Sequence, residues 1–552
     1  MRAVPCGLVL ILGCSSDQVF VYSESSPAPI LEVHSPVRAS WQSEGSTTIT
    51  GEVHHVNRFL VNGQRYEVDD GPFSIPIQLE RGIHYLEVEA QGDDGHRLFD
   101  RRSVIAGEFK PAEGPIEGAV ELRINQGGLN DIAEILSGLI DIQTINQDIS
   151  AVNPLVELDY SWGTSLSMDF TNIFFNTPII HISGRDDLLD VELVLPNLYM
   201  DTDSHVSVLW VESDQKIEMF AEYAMISGEL TMDVHDGFAV IEASQLEVSL
   251  EGFSYDTSLI PGDLVESHLF EETIRESMEE SLAAAMGAQI QEILSEIHND
   301  LALGVDFELM GTHMALEAEI DDMGPDSGGV RFDLGLDISA EEHATQGRGY
   351  LHGGVDMPSP DHSADGVLNL SDDALNRVAY ELWTGGVFSQ IFTTEDESID
   401  RNDLEEYGIR VLTISTHSSL PPVFVDADGG LEVQLGEMEV SVSTPGFTLG
   451  EMVVLRAAGN IGVELVADHE EVQLILSDLE LHLDVVETDW MQDQEYMLGL
   501  IQELLTPEML LGALEDFSIT IPSIGGLDLD GAAIRRAQTH AHTTIEIDVS
   551  PN

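Results

Sequence analysis

Three groups of side chains in this 552-residue sequence have types and spacings that suit metal chemistry. Asp426-Ala427-Asp428-Gly429 opens like a calcium loop, because hard cations are held by oxygen ligands at alternate positions. It lacks the flanking helix signals and the distal Glu, and reads as a hairpin turn. His540 and His542 would share one face of a strand, but no third ligand is in view, so they read as surface residues. His54 and His55 are adjacent, and adjacent residues of a strand point to opposite faces. A G-x-S-x-G elbow, an H-E-x-x-H helix and a phosphate-cradling glycine loop are all missing. The expectation is a protein with no catalytic residues, no metal and no cofactor, and not an enzyme; a hydrolase is the weakest option and falls if ester substrates are untouched.

With catalysis set aside, the elements carry the reading. At this length a single hydrophobic core is exceeded, so three or four domains are expected. Apolar residues make up 43%, enough for packed cores. The 21 basic and 101 acidic residues give a net charge of −80, which repels nucleic acid and anionic lipid headgroups. Lys110 and Lys216 are the only lysines. Two explanations of the acidity compete: a solvated surface suited to a salty or cation-rich medium, or an acidic face for a basic partner. The spread of Asp and Glu along the whole chain favours solvation.

Residues 1–13 carry Arg2 and an apolar run from Gly7 to Leu12, followed by Gly13-Cys14. This resembles a bacterial lipoprotein signal, with Ile11-Leu12-Gly13-Cys14 as lipobox and Cys14 as the lipidated residue. The resemblance implies an acyl anchor in the cell envelope, by Ser15 in the outer membrane, with residues 14–36 as a tether. Cys6 and Cys14 are the only cysteines, so the mature chain has no internal disulfide. Residues 37–109 show short alternating runs between Asn62-Gly63, Asp70-Gly71 and Asp94-Gly95, and resemble a small immunoglobulin-like β-sandwich acting as a spacer. Residues 110–118 are a Pro/Gly/Glu linker.

The stretch that organises the rest is GVLNLSDDALNRVAYELWTGGVF at 366–388: a short strand, a Ser371 cap with an acidic first turn, then an amphipathic helix. The same order occurs in AVELRINQGGLNDIAEILSGL at 119–139. Leu122 and Ile124 match Leu368 and Leu370, and Leu129-Asn130 matches Leu375-Asn376, at one offset (375 − 129 = 246). A constant offset predicts two copies of one domain, over 119–325 and 326–552. Each copy continues as antiparallel strands and then a helix. In the first copy the helix runs from Pro261 to about Leu301, with Met278, Leu282, Met286, Ile290 and Ile293 recurring every three or four residues. In the second it is residues 496–517, interrupted by Pro507.

This order is similar to the tubular lipid-binding superfamily, the relatives of bactericidal/permeability-increasing protein, lipopolysaccharide-binding protein and cholesteryl ester transfer protein. AVELRINQGGLNDIAEIL matches the family's opening strand and "GL" helix start, and GVLNLSDDALNRVAYELWTGGVF the opening of its second barrel. The resemblance implies an α+β fold: two pseudo-symmetric antiparallel β-barrels, each wrapped on a long helix in a boomerang, behind the small all-β sandwich. It also implies phospholipid or another lipid as ligand, with acyl chains in apolar grooves between sheet and helix. Groove positions would be Ile132, Leu136, Leu139, Met278, Leu282, Met286, Ile290, Ile293, Leu375, Val378, Leu382, Leu500 and Leu504; plain core is the alternative for each. The family's barrel disulfide is impossible here. Arg123, Arg185, Arg275 and Arg377 are too dispersed to form a headgroup clamp. The expected function is a lipid-anchored protein that binds and transfers lipid; the alternative is a surface adhesion or scaffold lipoprotein without cargo.

Overall fold

The computed structural model describes residues 27–93, 95–160, 164–185, 187–208, 211–235, 237–257, 268–300, 303–309, 312–341, 343–353, 364–394, 411–427, 430–443, 453–468, 471–488, 511, 518–520, 533–537 and 542–547. The chain forms two compact units.

The smaller unit holds residues 27–37, 46–77 and 86–102. It is built from antiparallel strands: Ile30–Ser35 pairs with Gly45–His54, and Val56–Val61 pairs with Gln64–Tyr66 and Gly82–Gly92. Asn62 and Gly63 both take positive φ, 48° and 74°, the primed hairpin turn that their side chains favour. Phe59 and Phe73 meet at 4.8 Å between ring centroids in its core. His54 bonds Asp70 through Nδ1 at 3.2 Å, and His55 donates its backbone N–H to the same carboxylate at 2.7 Å. That pair is a turn lock.

The larger unit holds 38–45, 78–85 and the described residues from 103 onward. Its first strand, β1 (Ile116–Asn125), runs directly into α1 (Gln126–Leu139), followed by α2 (Ile142–Ala151). Seven strands follow: β2 (Val156–Tyr160), β3 (Thr164–Phe174), β4 (Ile179–Arg185), β5 (Leu188–Val208), β6 (Val211–His235), β7 (Phe238–Glu251) and β8 (Ser254–Thr257). Helix α3 (His268–Asp300) leads to β9 (Leu303–Leu309), β10 (Thr312–Asp326) and β11 (Gly329–Ala340). The second copy opens with β12 (Gly366–Ser371) and α4 (Asp372–Thr384). Its strands are β13 (Ile391–Thr393), β14 (Thr413–Ser418), β15 (Val423–Ala427), β16 (Gly430–Ser443), β17 (Val453–Asp468), β18 (Glu471–Thr488), β19 (Ser518–Thr520), β20 (Ala533–Ala537) and β21 (His542–Ile547).

The repeat is a physical symmetry. Helix α1 begins at Gln126 and α4 at Asp372, the expected offset (372 − 126 = 246). The two opening strands pair antiparallel with Leu122 opposite Leu368, Val120 opposite Leu370 and Ile124 opposite Gly366. Residues matched by the repeat therefore sit on or around one local two-fold axis. The central sheet has the order β9-β10-β11-β1-β12-β21-β20, so the first copy contributes its first strand and its last three, and the second its first strand and its last two. Two further sheets share a common order, β2-β3-β5-β6-β7 with β4 on β5, and β13-β14-β16-β17-β18 with β15 on β16; they differ in their last strand, β8 pairing with β6 and β19 with β18. Both are antiparallel, with inward apolar rows closed on buried clusters, the arrangement of two curled half-barrels.

Strands β5 and β6 run unbroken for 21 and 25 residues. Outward-facing Asp and Glu on a one-sided sheet interrupt hydropathy without interrupting pairing. Helix α4 stops at Thr384, because Gly386 takes φ +84° and ends the helix. Helix α3 spans 33 residues, about 50 Å at 1.5 Å per residue. Among the described residues no helix is long and apolar enough to cross a membrane.

Candidate functional site

The apolar interior of the first curled sheet is the natural place to look for a ligand. Ile274, Met278, Leu282 and Met286 of helix α3 share one buried cluster with Met168, Met200 and Met219 of the sheet, and every one of these is at most 2% exposed. Methionine has no branch and adapts to irregular gaps. This half of the seam is closed by the chain's own side chains.

The seam opens further along. Met232 and Val234 on β6, Ile241 on β7, Ile290 on α3 and Leu316 on β10 are all half-buried at the edge of the main core. Met232 pairs with Ile241 across the ladder. Here the last two strands of the curled sheet meet the central sheet, and Ile320 donates its backbone N–H to Gly237 O at 3.0 Å. The result is an apolar strip with its residues part-exposed.

The second copy has a part-exposed apolar strip of its own. Strand β18 alternates Leu479-Glu480-Leu481-His482-Leu483-Asp484-Val485, and the four apolar residues line the inner face, each half-buried. Opposite them on β17 stand Ile461, Gly459, Ala457 and Leu455. No side chain fits at Gly459, where a Cβ would lie 2.3 Å from Glu480 O. Small residues beside four part-open aliphatic ones make a trough, edged by Val463 and by Ile534 of β20. By contrast Val433 and Leu435 of β16, deeper in the same sheet, are 0% and 2% exposed. The first strip lies next to the β6–β7 turn, and the second further along β18 from the β17–β18 turn.

Of the sequence-predicted groove residues, Ile290 lies in a strip. Met278, Leu282 and Met286 lie in the closed seam. Ile132, Leu375, Val378 and Leu382 are buried in the main core, with Leu136 packed against it. Leu139, at the end of α1, is 56% exposed. Ile293 falls within α3, but its side chain, like Leu500, Leu504 and the lipidation candidate Cys14, lies outside the described residues. The strip residues of β6, β7 and β18 were missed because helix periodicity drew attention to helices. The strict alternation of residues 479–485 was the available signal.

The charged side chains are structural. Arg123 is held bidentate by Asp326 at 2.6 and 2.8 Å. Arg185 pairs with Asp190 and Glu229, and Arg275 lies 3.9 Å from Glu279. Buried Arg377 donates Nε to Ile338 O at 3.0 Å, contacts Glu381 at 3.1 Å and reaches Asp337 at 3.5 Å. Burial raises the Glu381 carboxyl above its ordinary range, although Arg377 draws it back down. Burial likewise pushes the Tyr350 hydroxyl, beside this pair, up to about 12. The same arginine covers the Tyr350 ring at 5.7 Å. Each of these four arginines has its own carboxylate, so a shared headgroup clamp does not form. Asp426 lies in β15 opposite Leu431, and His542 in β21 is buried opposite Ser371, with His540 outside the described residues. No group of three or more His, Cys, Asp or Glu suited to a metal occurs among the described residues.

No protein-family model matches the chain, and no curated protein is similar to it in sequence. Among solved structures it is similar to lipopolysaccharide binding protein, at 12% identity over 79% of this chain and 99% of that chain, with a TM-score of 0.49. It is also similar to P47 of Clostridium botulinum E1, at 8% identity over 79% of this chain and 100% of that chain, with a TM-score of 0.26. At these values the functional reading rests on the geometry of the chain itself.

Proposed function

We propose that this protein binds lipid, with acyl chains lying in the two half-open apolar strips. The observation that carries the reading is that each copy has a part-exposed aliphatic lining on the inner side of its curled sheet. Burying one CH₂ is worth about 0.8 kcal/mol, so a long acyl chain has ample reason to leave water for such a lining. Transfer between membranes and attachment through an acyl group on Cys14 at the outer membrane extend this reading from the sequence. With a charge of −80, the carrier's exterior would be kept off anionic bilayers between exchanges.

The test is native mass spectrometry with lipid extraction, on the full chain and on the chain lacking residues 1–14. Copurified or added phospholipid bound in whole-number ratio is the expected result. A clean apo mass that takes up no phospholipid, with vesicle exchange no faster than in buffer, would defeat it. A second reading, a surface scaffold without cargo, is favoured by the closed seam at Met278, Leu282 and Met286, where the chain leaves no opening. It predicts that apo result together with a protein partner recovered by crosslinking.

A further inference from the structure

The outer face of the first curled sheet breaks the rule that a solvent-facing sheet surface is polar. Phe174 on β3, Tyr199 on β5 and Phe220 on β6 stand directly opposite one another across three strands. Tyr199 and Phe220 have ring centroids 4.8 Å apart. Phe174 is 56% and Phe220 41% exposed, and Tyr223 is exposed nearby on β6. This face is opposite to the one that carries the apolar strip, so it is independent of the lipid reading.

The next row of the ladder holds Asp201, Glu218 and Asp256, again directly opposite one another on β5, β6 and β8. Like charges facing across adjacent strands are destabilising. The described residues provide no lysine or arginine ion pair to any of the three; the nearest base along β6, Lys216, sits one row further on, opposite Asp203. Tyr199 donates its hydroxyl to Asp201 at 2.6 Å, and that bond, with burial and the neighbouring carboxylates, pushes its pKa up to about 12. That bond ties the aromatic row to the acidic row beside it.

We propose that this face docks an arginine-bearing segment of another protein, with guanidinium groups stacked on Phe174, Tyr199 and Phe220 and paired to Asp201, Glu218 and Asp256. The argument for this occupant is charge complementarity. Aromatic rings attract cations over their faces, and a planar guanidinium can stack on a ring while presenting its edge to a carboxylate. A compact ammonium does only one of these well. A bilayer suits the face less: aromatic side chains that sit in anionic membrane interfaces are accompanied by Lys and Arg, and here they are accompanied by carboxylates.

The test uses the full chain, with fluorescence anisotropy of labelled tetra-arginine and tetra-lysine peptides and sedimentation with phosphatidylcholine vesicles. The expected result is salt-sensitive binding of tetra-arginine, with tetra-lysine weaker. Phe220→Ala and Glu218→Gln should each weaken the arginine peptide about ten-fold, and Leu481→Gln, in the lipid strip, should leave it unchanged. Phe174→Ala, on a different strand, repeats the aromatic test should Phe220→Ala fail to fold. Hydrogen exchange of the unsubstituted protein should show peptide protection at 199–201 and 217–220. Equal binding of both peptides, unaffected by the aromatic substitutions, would mean diffuse attraction to an acidic surface and would overturn the proposal. So would vesicle binding through Phe174 and Phe220 that the arginine peptide does not compete.

Discussion

At the scale of single residues, buried polar groups hold the larger unit together. Asn376 shows how: its side chain accepts from Phe424 N at 2.7 Å and donates to Phe424 O at 3.1 Å, so one amide on α4 replaces a strand neighbour for β15. Leaving both backbone groups unpaired in a buried site costs about 1–3 kcal/mol each, so Asn376→Ala should lower stability by about 2–5 kcal/mol in urea denaturation. Asp333 makes a pH-dependent prediction. Burial raises its carboxyl above the ordinary 3.8, with Arg331 opposing and Glu121, Asp322 and Asp321 adding to the rise. Such a group holds its proton more tightly when folded. Its contribution is present below the unfolded value and is lost as pH rises through the folded one. Asp333→Asn should therefore shrink the fall in denaturation midpoint between about pH 4 and pH 7, relative to the parent protein.

At the scale of elements, the two copies use their first helix differently. Every residue of α4 is buried, with Asp372 paired to Arg81 at 3.3 Å and Asp373 to His352, whereas α1 buries only Gly128, Leu129, Ile132 and Ala133. The ion pair of Arg377 and Glu381 lies inside the sheathed helix. Arg377→Met should cost about 3–5 kcal/mol, because it leaves a buried carboxylate without its cation; the midpoint of thermal unfolding reports it. In the strips the expectation is the reverse, a functional effect with little structural cost. Leu481 is half-buried, so Leu481→Gln should change stability by about 1 kcal/mol or less while halving lipid uptake measured by extraction.

For the whole molecule, symmetry and charge make separate predictions. Two strips should hold two lipid equivalents at saturation, falling to one in Leu481→Gln; native mass spectrometry distinguishes these masses. A charge of −80 repels itself in the compact state, and salt screens that repulsion over a Debye length of about 10 Å at 0.1 M and 3 Å at 1 M. The unfolding temperature should rise as sodium chloride is added, most steeply at low ionic strength, in a calorimetric scan.

The repeat was legible in the sequence because it is local. Leu122 and Leu368, with their cap and helix, carry the same pattern at a constant offset wherever the chain goes next. The hairpin at Asn62-Gly63 was legible for the same reason, as its φ values follow from the two residues themselves. Tertiary structure alone decided that the matched strands pair with each other about a two-fold axis, since nothing in one strand states its partner. It also decided which apolar residues stay open. Met278 and Leu481 both sit in regular apolar patterns, yet one is enclosed in a buried cluster with residues of distant strands and the other stands opposite a glycine on β17. Hydropathy fixes which face of an element turns inward; only packing against residues far along the chain determines whether that face is filled.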